Sequence, residues 1–184
     1  MCHLIRRELM PQDRDRLSGQ VEADETYIGG RPRLADKKLT IAQHLDRKAK
    51  AADVVERGGR VIASVQQHRV DTRLHVREYV LPESVLFTDE YPAYNEVGRR
   101  FRGHQRINHS ERVYVSGEAH TQTIEGFWAL VKNGIRGVYH AVSAKHLQTY
   151  LNEYAWRYNH RHDGASMFLA VILNSAQECQ SVKA

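Results

Sequence analysis

Three acidic residues stand in or next to predicted strands and helices. Asp24 lies inside a strand pattern, where aspartate is disfavoured, Asp89 closes an apolar strand, and Glu125 lies beside the apolar face of a helix. Carboxylates that converge repel one another, and Mg²⁺ is a cation that takes carboxylate oxygens together with water and phosphate. Two such ions about 4 Å apart would activate a nucleophile and stabilise the leaving oxygen of a phosphodiester. Taken singly, each acid could equally be a capping or surface carboxylate.

A lysine and the order of the acids add to this pattern. Lys132 follows Glu125 by seven residues, which is two helical turns, so the spacing places both side chains on one helix face. A cation there would contact a phosphate that the metal ions also hold, although the same spacing suits a solvated helix surface. An acid in a strand, a second at a strand end and a third in a later helix is the arrangement of ribonuclease H-like nucleases.

The first half of the chain carries strand and turn signals. We predict strands over Val21–Ile28 and Val85–Phe87, and helices over Thr72–Tyr79 and Pro92–Arg99. Between them we predict a hairpin with strands at 54–57 and 60–65, because the intervening Gly-Gly pair suits a two-residue turn with positive φ.

The second half is predicted to be helical. Apolar residues at 124, 127, 128 and 131 recur with the period of a helix. Thr121 or Thr123 would cap that helix, Ser143 would cap the next, and Met167–Leu173 would form a last helix against the core. The order of elements predicts an α/β fold with a mixed β-sheet, flanking helices and a helical C-terminal half.

Composition narrows the class of protein. The chain has 184 residues, of which 41% are hydrophobic and 27% charged, an ordinary globular balance. Its two cysteines, Cys2 and Cys179, stand at opposite ends, which excludes a disulfide scaffold and a CxxC zinc module within these residues. No apolar run approaches the roughly 20 residues of a membrane span, and no signal peptide is evident. We therefore expect a soluble, reduced, cytoplasmic protein.

Basic residues outnumber acidic ones, 27 to 22, which favours a polyanionic partner. Seven of them fall in one segment, Arg31–Lys50, against two aspartates. This segment is either a solvated loop or a loop that contacts the phosphates of a nucleic-acid backbone.

Eight short blocks occur in order between about residues 18 and 162. They are Val21–Gly30, Val54–Gly59, Thr88–Tyr94, Asn108–Ser110, His120–Trp128, Gly137–His140, Lys145–Gln148 and Arg157–Asn159. Together they resemble the ISXO-type insertion-sequence transposases. Several blocks in order are far more specific than three acids alone.

The resemblance implies a ribonuclease H-like catalytic domain that cuts and joins DNA ends with two Mg²⁺ or Mn²⁺ ions. The family's catalytic and metal-binding acids correspond to Asp24, Asp89 and Glu125, and its downstream cation to Lys132. The implied domain covers residues 19–162, between a frayed or helical leader at 1–18 and a C-terminal helix and tail at 163–184.

The implied partner is double-stranded DNA, both transposon ends and target, bound by a homo-oligomer in the bacterial cytoplasm and associated with the nucleoid. The residues we expect to contact DNA are Arg31, Arg33, Lys37, Lys38, Arg47, Lys48, His109, His120 and Arg136. The two histidines could instead be structural, while Phe127, Trp128, Tyr154 and Tyr158 are expected in the core.

Three departures from the family keep an alternative open. Gln122 stands where asparagine is usual, the segment between Gly30 and Val54 is unusual, and the family's N-terminal zinc-ribbon and DNA-binding region is not evident. The alternative is a truncated, inactive remnant that only binds DNA or another subunit. A carboxylate-pair hydrolase of sugars would explain neither the basic segment nor the blocks.

Overall fold

The computed structural model describes residues 5–12, 14–29, 40, 48–66, 71–89, 91–107, 121–164 and 166–181. Its strands are β1 (Gln20–Ile28), β2 (Ala49–Glu56), β3 (Val61–Gln66), β4 (Val85–Thr88) and β5 (Gly103–Arg106). Its helices are α1 (Asp71–Tyr79), α2 (Ala93–Gly98), α3 (Gln122–Gly134), α4 (Ala144–Asn159) and α5 (Ser166–Ser181), with π-helical turns at Ile5–Leu9 and Ile135–Tyr139. None of the helices in these ranges is both long and apolar enough to cross a membrane.

The five strands form one mixed sheet in the order β3-β2-β1-β4-β5. Strands β1, β2 and β3 pair antiparallel in succession, whereas β4 pairs parallel with both β1 and β5. The predicted hairpin between β2 and β3 is confirmed, but its predicted two-residue turn is wrong. The Glu56 N–H bonds to the Arg60 carbonyl, so residues 57–59 form the turn, and Gly58 in it has a φ of +74°. The sheet and its flanking helices confirm the predicted α/β class.

Alternation along β1 gives the sheet two differently covered faces. Val21 and Ala23 pack with residues of α1 and α2 on one side. Residues between them in the strand therefore face the other side, which α3 and α4 cover. The predicted apolar stripe of α3, including Phe127 and Trp128, is buried against this second face, so their assignment to the core is confirmed.

The helices α3 and α4 approach closely at one glycine. A Cβ atom at Gly134 would overlap the hydroxyl of Tyr154 in α4. Tyr154 and Tyr158 are partly buried against the core, as expected from the sequence. Helix α3 then continues into the π-helical turn at Ile135–Tyr139.

The described residues before 18 contact the rest of the domain. Leu17 is fully buried and forms a parallel bridge with Val80. The Arg6 guanidinium lies 2.5 Å from the Glu153 carboxylate of α4, in a largely buried ion pair. The predicted boundaries at residues 18 and 162 stay predictions, but the described residues before 18 pack against the domain.

Side-chain amides cover the outer edge of β3. The outward backbone groups of Val61, Ala63 and Val65 bond to side chains, not to another strand. Asn159 accepts from the Val61 N–H and donates to its carbonyl, and Gln12 does the same at Ala63. Gln148 accepts from the Val65 N–H and donates to the Ala63 carbonyl.

The last helix is longer than predicted and is not packed into the core. Helix α5 covers Ser166–Ser181, and its large apolar side chains Phe168, Leu169, Ile172 and Leu173 are 47 to 71% exposed. The prediction that this helix packs against the core is therefore wrong. Its described contact is with the N-terminal turn, where the Asn174 amide donates to the Leu9 carbonyl.

Candidate active site

Asp24 and Asp89 occupy adjacent positions on neighbouring parallel strands. The β1–β4 register ends with Ala23 opposite Thr88. Asp24 and Asp89 are the next residues along the two strands. The Asp24 carboxylate accepts the Glu25 backbone N–H at 2.7 Å, and the Asp89 carboxylate accepts the Tyr91 N–H at 3.0 Å. Two of the predicted acids are thus brought together where β4 ends.

The environment of Asp24 makes its negative charge costly. Burial raises the pKa of this carboxyl to about 6, and the charges of Asp89 and Glu25 act in the same direction. The hydrogen bond from the Glu25 N–H and the ammonium of Lys132 oppose the rise. Lys132 therefore lies close enough to Asp24 to affect its ionisation, as expected of a cation beside the site.

Helix α3 begins over this part of the sheet because β1 holds its first turn. Glu22 is fully buried two residues before Asp24, and its carboxylate accepts the Ile124 backbone N–H at 3.0 Å and the Thr123 hydroxyl at 3.1 Å. The Arg57 guanidinium balances its charge at 2.8 Å. An acid at a helix N-terminus satisfies free N–H groups and favours the helix dipole.

This anchoring sets the positions of Glu125 and Lys132. Glu125 lies in the exposed first turn of α3, where its carboxylate accepts a hydrogen bond from the Thr121 hydroxyl at 2.9 Å. Thr121 precedes the helix, as predicted, but its side chain makes no capping bond to the helix backbone. Lys132 lies two turns further along the same helix.

The carboxylates of Asp24, Asp89 and Glu125 do not form a compact group in this structure. Within the described ranges, no three His, Cys, Asp or Glu side chains lie close enough together to hold one metal ion. The structure therefore brings together Asp24, Asp89 and the charge of Lys132, and it leaves Glu125 on the helix that covers them. The donor set consists of carboxylate oxygens, which are the ligands that Mg²⁺ and Mn²⁺ prefer.

A further acid, Asp53, lies directly opposite Asp24 on the antiparallel strand β2. It is 1% exposed, and neither of its carboxylate oxygens has a hydrogen-bond partner. Burial raises the pKa of its carboxyl well above the usual range, and the Asp24 charge raises it further. The indole of Trp128 lies beside it and opposes the rise, but without a hydrogen bond of good geometry.

Sequence analysis missed Asp53, although a signal was present. The residue sits in the run Ala51-Ala52-Asp53-Val54-Val55, and an aspartate inside a strand is as unusual there as at Asp24. We predicted that the hairpin strand begins at Val54, which left Asp53 outside it.

Within the basic segment the structure describes only residue 40 and residues 48–50. Lys48 is half-buried at a bend before β2. Lys50 belongs to β2, where its ammonium lies 2.8 Å from the Glu25 carboxylate and is largely buried. The prediction that the loop extends to Lys50 is therefore wrong, because the ladder of β1 draws residues 49 and 50 into the sheet.

The remaining residues expected to contact DNA divide into two groups. Arg136 is exposed in the π-helical turn after α3. The others lie outside the described residues: Arg31, Arg33, Lys37, Lys38, Arg47, His109 and His120.

A profile of the ISXO2-like transposase domain matches residues 16–159. The chain belongs to this family of transposase domains. Over 84 residues it is 30% identical to an uncharacterized transposase-like protein of Haemophilus influenzae, and the aligned part is 46% of this chain and 67% of that protein.

One solved structure is similar at low identity. It is a chain in the cryo-EM structure of the simian T-cell lymphotropic virus intasome in complex with PP2A regulatory subunit B56 gamma. The sequence identity is 16% and the TM-score is 0.42. The similarity covers 82% of this transposase chain. This chain spans about half (52%) of the length of that one, and so distant a likeness bears on neither mechanism nor partners.

Proposed function

We propose that this transposase domain is a ribonuclease H-like DNA nuclease and strand transferase that depends on divalent metal ions. The observation that carries the proposal is the placement of Asp24 and Asp89 side by side on parallel strands beneath α3, in a chain of the transposase family. A mixed sheet with one antiparallel central strand, β2, supports the ribonuclease H-like assignment.

The residues at the site fit a hard divalent cation. A carboxylate whose pKa is raised by burial and by neighbouring acids is one that a positive charge would stabilise. Asp24, Asp89 and Glu125 would hold two Mg²⁺ or Mn²⁺ ions. When bound, such ions activate a water or a DNA 3′-OH and stabilise the leaving oxygen of a phosphodiester.

Glu22 would position the third acid, and Lys132 would stabilise the transition state. Glu22 fixes the first turn of α3 and with it Glu125. Lys132 would place its ammonium against the phosphate that is cut, where preorganised positive charge stabilises the transition state. The substrate would be duplex DNA carrying the ends of an insertion sequence, and we expect a homo-oligomer to act on it.

One observation favours a second candidate, a DNA-binding remnant that no longer cuts. Among the described residues, no group of three side chains is arranged to hold an ion. If the metal and DNA do not draw Glu125 toward Asp24 and Asp89, the domain would bind DNA without cleaving it.

A nicking assay separates the two candidates. The substrate is a supercoiled plasmid that carries the genomic flanks of the coding sequence, incubated with Mg²⁺ or with EDTA. We expect nicking in Mg²⁺ only, and its loss in Asp24→Asn, Asp89→Asn and Glu125→Gln, since each change removes one metal ligand. Double variants should be no worse than the worst single variant.

The matched control is Glu96→Gln, because Glu96 is an exposed acid whose side chain is 73% accessible, on α2 at the opposite face. It should nick like the parent. Near-parental nicking by any one of the three site variants would remove that residue from the ligand set. DNA binding without nicking in the parent would favour the remnant.

A further inference from the structure

The register of β1 and β2 places two carboxylates directly opposite each other. Asp24 and Asp53 are partners in the antiparallel ladder. Their neighbours Ala23 and Val54 pack on the side of α1 and α2, so both aspartates face α3. Directly opposite residues have Cβ atoms about 4.5–5.5 Å apart, and like charges in such a pair destabilise a sheet.

The surroundings of Asp53 differ from those of the other deeply buried acids. Of the described carboxylates on residues at least nine-tenths buried, Glu22 is paired with Arg57 and Glu153 with Arg6. Among the described residues no cation pairs with Asp53, and neither of its oxygens makes a hydrogen bond of good geometry. Buried polar side chains almost always have partners, so these two oxygens call for one that the described side chains do not supply.

A second buried group at the same place is also unpartnered. The Trp128 indole N–H lies beside Asp53 and is buried, but it makes no hydrogen bond of good geometry. An unsatisfied N–H group next to two unsatisfied carboxylate oxygens is expected where a bound ion and its water complete the hydrogen bonding.

We propose that Asp53 and Asp24 together bind a divalent cation on the β2 side of Asp24. This inference rests on the proposed metal-dependent function and extends its ligand set. Asp53, Asp24 and Asp89 then form a row across three adjacent strands, β2, β1 and β4, with Asp24 in the middle. Two carboxylates on adjacent strands offer the oxygen ligands that Mg²⁺ and Mn²⁺ take, with water completing the coordination.

Terbium luminescence tests the site directly. Tb³⁺ is an oxygen-seeking ion that emits when an excited tryptophan lies close to it, and Trp128 adjoins the proposed site. We expect tryptophan-sensitised emission from the full chain, with displacement by Mn²⁺ giving the affinity for Mn²⁺. Asp53→Asn should weaken that affinity roughly tenfold or more, because it replaces a charged ligand by a neutral one of the same shape.

Two variants separate this site from other causes. Trp128→Phe should remove the emission, because the other tryptophan, Trp156, lies in α4, away from the site. Asp163→Asn, a change at an exposed acid after α4, should alter neither the emission nor the affinity for Mn²⁺.

The outcomes also separate the inference from the proposed function. If Asp53→Asn binds Mn²⁺ as tightly as the parent while Asp24→Asn does not, Asp53 is not a ligand and the nuclease proposal stands. If the parent binds neither ion and does not nick DNA, both proposals fail. Thermal unfolding without metal checks that Asp53→Asn folds, and its stabilisation by Mn²⁺ should be smaller than that of the parent.

Discussion

Asp24 carries an ionisable group at a place where the fold makes charge costly. Its pKa is raised from 3.8 when unfolded to about 6 when folded, chiefly by burial. The folded state therefore binds the proton more tightly than the unfolded state does. The resulting stability is present below pH 4 and is lost as the pH rises through 6.

This linkage predicts that, without divalent ions, Asp24→Asn changes the free energy of unfolding by an amount that depends on pH. At pH 7.5 the variant should be more stable than the parent by up to about 3 kcal/mol, since a pKa unit corresponds to about 1.4 kcal/mol. Near pH 4 the difference should shrink toward zero. Urea unfolding in EDTA at both pH values checks this, and a constant difference across the range would contradict the assignment.

The ammonium of Lys132 is a positive charge beside Asp24. The residue is partly exposed, so its removal should leave the fold intact. Lys132→Ala should slow nicking by roughly tenfold or more, because positive charge at a transferring phosphoryl group is removed. The free energy of unfolding should change by less than about 0.5 kcal/mol.

Two comparisons make the Lys132 result specific. Lys132→Arg keeps the charge and changes the geometry, and Lys145→Ala removes an exposed lysine from the start of α4. Nicking by Lys132→Ala at the parental rate, with subsaturating DNA, would withdraw Lys132 from the site.

At the scale of elements, one buried acid joins the sheet to the helix that carries Glu125. Glu22 bonds to Ile124, 102 residues later in the chain, and pairs with Arg57. Glu22→Gln would remove the buried carboxylate that pairs with Arg57, so we expect a loss of about 3–5 kcal/mol in the free energy of unfolding.

Hydrogen exchange locates the Glu22 effect. The amides at the start of α3 should exchange faster in Glu22→Gln, whereas Glu96→Gln, which breaks an exposed ion pair, should cost at most about 1 kcal/mol. A loss below that amount in Glu22→Gln would mean that α3 is held chiefly by its apolar stripe.

Local sequence identified most elements but not all of their ends. Periodicity was enough for α3 because its stripe is long and regular. It failed for the start of β2, because Ala49, Lys50, Ala51 and Ala52 have low strand propensity and form a strand only through pairing with β1. Strand β5, with the sequence Gly-His-Gln-Arg, was missed for the same reason.

Some residues of the candidate site can also be predicted from local sequence, whereas others depend on tertiary contacts. Asp24 could be predicted as a candidate because aspartate is disfavoured inside a strand, and Asp89 because it directly follows an apolar strand. The role of Glu22 depends on a partner 102 residues away, and Asp53 depends on a strand boundary that tertiary pairing sets. Neither is available from a local pattern.

At the scale of the whole molecule, the net charge of +5 favours DNA without specifying its sequence. Neutralising Lys37, Lys38, Arg47 and Lys48 together should weaken binding to all duplexes alike. The slope of log affinity against log salt should flatten by up to about 0.9 for each DNA phosphate that the variant no longer neutralises. Fluorescence anisotropy over a salt series measures it.

The control for this segment is a set of exposed arginines after α2. Arg99, Arg100 and Arg102 replaced by glutamine should leave the slope nearer to that of the parent. If the loop variant keeps the parental slope, the segment is only a solvated surface.

The amides of Gln12, Gln148 and Asn159 have a consequence for self-association. An open sheet edge is a template for strand addition, and these three side chains occupy the outward backbone groups of β3 at alternate residues. A second copy cannot extend the sheet there without first displacing three side-chain amides, one from the N-terminal segment and two from α4. The outer edge of β3 is therefore closed to strand addition, so a homo-oligomer of the kind proposed would have to form through other surfaces.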